Sequence, residues 1–189
     1  MDPEVERLHR HLNAIGDPAW IRDYLEAARL LIETLELGPF DPRLNASLPK
    51  GHAEYLLPIT VNSRYVLATQ RSRHGNMAAV IWDPLFDKLS EINSLAVRYS
   101  RFDPHRGEGI YDTPWFVRFS HPRVILEHDE IRRGWLETAR YERERISASP
   151  YRRYHSPLAY RLFTDLDYQG RVLSSILGTG KAETRQFDS

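Results

Sequence analysis

The residues of this chain best suited to chemistry are arginines interleaved with aromatic rings. Tyr151-Arg152-Arg153-Tyr154-His155, followed by Tyr160-Arg161, lies in a stretch from Ile146 to Thr164 that holds no acid. A second acid-free stretch, Tyr55 to Trp82, carries Arg64, Arg71, Arg73 and His74. Arg grips phosphate or guanine as a planar two-pronged donor, while Tyr and His stack on unpaired bases, so the interleaving suits a nucleic acid. The contact face read in this way comprises Arg71, Arg73, His74, Arg98, Arg101, Arg106, Arg152, Arg153, Tyr154 and His155. A nucleic-acid-binding domain, or a subunit of a prokaryotic nucleoprotein assembly, is the function these residues lead one to expect. Arg and Tyr are also enriched at protein interfaces, so the alternative is an interaction subunit or homo-oligomer with no nucleic-acid contact. All but three of the 26 basic residues are Arg. That bias fits planar anion contacts, and it also fits a GC-rich genome with no functional demand.

A different chemistry is suggested by His128-Asp129, with His105 upstream and Asp165 or Asp167 downstream. Neighbouring His and Asp in that order can hold metals that activate water against a phosphoester. This makes a metal-dependent phosphoesterase of His-Asp type the third reading, with His105, His128 and Asp129 as its candidates. The upstream His lies in a Pro/Gly loop, and Asp129 is more simply a helix cap. Arg123 and His128 also stand at the Arg-x4-His spacing of some helical ribonucleases, although this region follows a sheet.

Other patterns fail on their own terms. Gly178-Thr179-Gly180-Lys181-Ala182 has Ser175 where a phosphate loop needs Gly and Ala182 where it needs Ser or Thr. His52-Ala53-Glu54 matches part of a zinc deaminase site, which also requires cysteines. The chain has none, which excludes thiolate zinc, iron–sulfur ligation, disulfides and cysteine nucleophiles. No Gly-x-Gly-x-x-Gly or Gly-x-Ser-x-Gly occurs, and no cofactor or metal is expected. His9 and His11, two apart on a helix, do not share a face. Trp82, Trp115 and Trp135 have core packing as their ordinary role and a base-stacking pocket as the alternative.

The overall charge hides an asymmetry. The 189 residues carry 26 basic and 26 acidic groups. Residues 1–60 hold six basic against ten acidic, a net of −4, and the remainder holds 20 against 16, a net of +4. An acidic front cancels a basic remainder, so neutrality of the total does not remove a polyanion partner.

The elements that position these residues are legible in outline. Asp2-Pro3 and Asp17-Pro18 are cap and first-turn pairs, each opening a helix. Val5, Leu8, Leu12 and Ile15 mark one face of the first, which Gly16 ends. Trp20, Ile21, Tyr24, Leu25, Ala28, Leu31, Ile32 and Leu35 mark the second, with Gly38 as the stop. Residues 39–51, rich in Pro and Gly, read as a loop. Tyr55–Val61 and Arg64–Gln70 then form a hairpin about Asn62-Ser63, and Met77–Trp82, Leu95–Phe102 and Trp115–Phe119 are further strands. Asp83-Pro84 starts a short helix, residues 129–147 form a longer one with a charged far end, and Ser156-Pro157 and Thr164-Asp165 start two more. Helices, then strands, then helices predict an α+β fold with a five-stranded, mostly antiparallel sheet. The expectation is a single domain over 1–178 with a flexible tail at 179–189. The first residues are acidic and lead into no apolar segment, and no run approaches the ~18 apolar residues of a membrane helix, so a cytoplasmic protein is expected.

Overall fold

Two Asp-Pro pairs set the entry of the chain in the computed structural model. Asp2 accepts from the Glu4 amide at 2.8 Å and opens α1, Pro3–Ile15; Asp17 accepts from Ala19 and Trp20 and opens α2, Pro18–Leu35. In each case the carboxylate satisfies an amide that the first helical turn leaves without a partner. α2 does not run to Gly38. It ends at Glu36, whose φ of 53° places a non-glycine residue in the left-handed region.

The structure describes residues 2–51, 55–70, 77–81, 97–100, 115–119, 121–144, 152 and 154–179. After α2 come β1 (Leu44–Ala46), β2 (Tyr55–Val61), β3 (Arg64–Gln70), β4 (Met77–Ile81), β5 (Val97–Ser100) and β6 (Trp115–Phe119). Four helices follow, α3 (Arg123–Glu127), α4 (Asp129–Glu144), α5 (Pro157–Thr164) and α6 (Leu166–Thr179). The chain is α+β, as its order of elements predicts. The helix expected from Asp83-Pro84 and most of the tail expected from residue 179 lie outside the described residues.

The sheet differs from the expected five strands. It has six, all antiparallel, in the order β1-β2-β3-β4-β6-β5. The added strand is β1, inside the segment read as a loop. Three residues are too few to show a period of two, and Leu44–Ala46 becomes a strand only through pairing with Ile59–Val61 of β2. The predicted hairpin is present. Asn62 and Ser63, with φ of 46° and 69°, supply the left-handed pair that a tight two-residue hairpin turn requires.

Pro58 explains an irregularity in β2, a strand paired on both sides. Proline has no N–H to give the ladder, and the β2–β3 register shifts between Leu56 and Ile59. Leu57, just before it, takes a φ of 47°, and its carbonyl accepts from the buried Tyr24 hydroxyl of α2 at 2.8 Å. Burial pushes the Tyr24 phenol well above its ordinary range.

A single apolar core joins the layers. Leu8 and Leu12 of α1, most of one face of α2, Ile59 and Val61 of β2, Trp135 and Ala139 of α4, and Leu162 and Phe163 of α5 belong to one packed cluster. Every apolar position named above for α2 is buried. At ~25 cal/mol per Å2 of apolar area removed from water, burying such a stripe is what holds an 18-residue helix that would be marginal alone. All seven residues of β2 are buried as well, so this strand presents neither face to solvent.

Candidate nucleic-acid interface

The sheet separates the arginine clusters that the sequence places together by type. Gln70 ends β3 and Met77 begins β4, so the segment bearing Arg71, Arg73 and His74 joins these neighbouring strands. Met77 lies opposite Phe119, and Arg118 opposite both Ala78 and Val97. This puts Arg98, which faces Val117, near that same end of the sheet on the outer strand β5. Arg101 follows directly on Ser100, at the opposite end of β5. Arg71, Arg73, His74, Arg101, His105, Arg106 and Arg153 lie outside the described residues.

Arg152, Tyr154 and His155 belong to the other outer strand. Leu48 donates to the Tyr154 carbonyl and Ser156 to the Ala46 carbonyl, both at 2.9 Å, with a single antiparallel bridge between Ser47 and His155. These bonds cover the outer edge of β1, which would otherwise offer unpaired backbone groups. Five interstrand steps of ~4.8 Å separate β1 from β5, about 24 Å in all. Of the described candidates, Arg98 therefore lies across the width of the sheet from Arg152, Tyr154 and His155.

Arg152 has a structural engagement of its own. Its Nε donates to the Leu44 carbonyl at 3.0 Å, one terminal nitrogen to the Pro39 carbonyl at 2.9 Å, and the other to the Phe40 carbonyl at 3.5 Å. One guanidinium thus fastens the connection between α2 and β1, whose carbonyls have no ladder partner of their own. Phe40, on that connection, is 83% exposed, and Tyr154 is 36% exposed. Beside them Arg43 pairs with Asp41 at 2.8 Å, and this hydrogen-bonded guanidinium holds the Asp41 carboxyl below its ordinary range.

His155 is half-buried, and neither of its ring nitrogens makes a well-formed hydrogen bond. Burial first, and the Arg152 charge second, push the imidazole below its ordinary pKa; the Pro39 carbonyl and the Glu4 carboxylate act the other way. Ser156, next in the chain, caps α5 by accepting from the Ala159 amide at 3.0 Å and donates its own hydroxyl to Glu4 of α1.

Many of the described arginines on the helices are matched by acids within the fold. Arg29 pairs with Glu33, Arg123 with Asp23, Arg132 with Asp129, Arg143 with Glu144 and Arg161 with Asp165. The Asp129 partner bears on the phosphoesterase reading, because a carboxylate held by a guanidinium is a poorer metal ligand. Asp129 stands at the start of α4 and is 77% exposed, and His128 accepts from the Arg132 amide through its backbone carbonyl. Among the described residues no group of three or more His, Asp or Glu could hold a metal ion.

Compared with protein-family models, with curated proteins and with solved structures, the chain matches none.

One sequence expectation is corrected here. Glu142, read as part of a charged far end of the helix, is fully buried and pairs with Arg64 at 2.9 Å, with side-chain exposures of 0% and 6%. Its partner lies 78 positions away, so no local pattern could reveal the pair. Trp135 takes the core packing expected of it, is fully buried, and donates its indole N–H to the Val66 carbonyl. Trp82 lies outside the described residues.

Proposed function

We propose that this chain is a nucleic-acid-binding domain whose contacts run across the sheet rather than converge in a pocket. The observation that carries the reading is the division of charge between the layers. None of the six strands contains an acid, yet they hold Arg98 and Arg118 besides Arg64, whose charge the buried Glu142 offsets, whereas the helices carry acids that pair with many of their own arginines. The segment joining β3 to β4 adds Arg71, Arg73 and His74 with no acid, whereas after β5 Arg101 and Arg106 stand among Asp103, Glu108 and Asp112. Arg152 acts as the fastening of the α2–β1 connection, and the adjoining Arg153 and Tyr154 carry the contact at that edge. A strand whose bases stay stacked, at the duplex rise of 3.4 Å, covers roughly seven nucleotides over ~24 Å.

Titration of short single- and double-stranded DNA and RNA over a salt series is the test. Micromolar binding at low salt is expected, weakening linearly in log–log form. Arg71→Ala with Arg73→Ala reduces the slope by about two if each arginine neutralises one phosphate. Absence of binding at low salt, or a slope that the double substitution leaves unchanged, removes the proposal.

The exposed Phe40, held on a fastened connection beside Tyr154, favours a second reading, a protein-interaction surface. A stoichiometric partner that survives nuclease treatment and is lost on Phe40→Ala distinguishes it from the first.

A further inference from the structure

The segment that closes the β1 edge contains three features whose combination has a consequence of its own, independent of any nucleic-acid contact. Tyr154 holds a φ of 65°, a left-handed backbone that an L side chain rarely adopts. His155 is packed with both ring nitrogens buried and neither in a well-formed hydrogen bond. The Arg152 guanidinium, bound to the carbonyls of Pro39, Phe40 and Leu44, is fixed in place and cannot swing away from the ring. Among the described residues, the charged or titratable groups that face the imidazole are Arg152 from its own segment and Glu4 from α1. Glu4 is already engaged by the Ser156 hydroxyl, and the α2–β1 connection contributes only the Pro39 carbonyl. Asp41 faces Arg152 and Arg43 instead.

We propose that Tyr154, His155 and Ser156 form an acid-released latch, in which protonation of His155 separates these residues from β1 and uncovers the edge of Ala46–Leu48. A proton on the ring puts a second positive charge beside an immobilised guanidinium in a site too enclosed to hydrate it. Letting go hydrates the imidazolium and relieves the left-handed Tyr154 backbone. The freed edge of β1 exposes the Leu48 amide and the Ala46 carbonyl that the latch now satisfies.

The sign follows from the direction of the histidine shift. The closed state favours neutral imidazole, so the latch is fully held above the ordinary histidine range. It loosens as the pH falls below about 6.5, down to the lowered value of the closed state. Each unit of lowering makes opening about tenfold more frequent at the acid limit.

Amide hydrogen exchange on the full chain at pH 7.5 and pH 5, corrected for intrinsic rates, tests this directly. Protection at Leu48 and Ser156 is expected to be lower at pH 5 than at pH 7.5 while α2 amides keep theirs. His155→Phe is expected to abolish the pH effect. Glu4→Gln keeps an acceptor for Ser156 but removes the one favourable charge, and is expected to enlarge the loss at pH 5. Equal protection of Leu48 and Ser156 at the two pH values overturns the proposal. So does a loss that Glu4→Gln leaves unchanged, and that comparison remains informative if His155→Phe fails to fold.

Discussion

At the scale of single residues, Arg64 and Glu142 show how a charge legible in the sequence can have an illegible role. Both side chains are removed from water, and the hairpin residue Asn62 adds a hydrogen bond from its amide to the Glu142 carbonyl near the end of α4. Desolvating two ions offsets most of their attraction, so the pair specifies where the hairpin docks more than it stabilises the fold. Glu142→Leu alone takes from the buried Arg64 guanidinium its fully buried acid and is expected to cost about 3–5 kcal/mol. Adding Arg64→Met should return most of that loss, a strong non-additivity readable from urea unfolding at pH 7. Additive losses would mean that the two residues act independently.

At the scale of elements, the helices were legible because their signals are local. Asp-Pro openings and a 3.6-residue period placed α1 and α2, and Ser156 and Asp165 fall at the starts of α5 and α6, where Asp165 accepts from the Tyr168 amide. What the pattern misplaced was the end of α2. The left-handed residue is Glu36, two positions before the expected glycine stop, because burial of Leu35 and Leu37 fixes the chain there. Glu36→Gly is therefore expected to stabilise the protein by about 0.5–1 kcal/mol, seen as a higher melting temperature. A lowered melting temperature would show that the Glu36 side chain contributes more than its backbone strain takes away. β1 was missed for the opposite reason. Its three residues are a strand only because β2 and residues 154–156 pair with its two edges.

At the scale of the whole molecule, one core runs from α1 through β1, β2 and β3 to α6, from which a single cooperative unfolding unit is expected. Urea unfolding followed by far-UV circular dichroism and by tryptophan fluorescence should give coincident transitions, since Trp20 and Trp135 both lie in that core. Separated transitions would mean that the layers fold apart. The charge asymmetry read along the chain corresponds to a division in space, with acids on the helices and none in the strands. The sequence by itself determined the α+β class, the caps, the hairpin turn and the absence of thiol chemistry, all of which depend on residues within a few positions of one another. Tertiary structure alone decided which arginines are structural. It set Arg152 on the carbonyls of residues 39–44, buried Arg64 against Glu142, and placed the cluster around His155 six interstrand steps, about 29 Å, from β5. The physical reason is that the partners of a guanidinium are chosen by distance in space, and here the deciding partners stand 78 to 113 positions away along the chain.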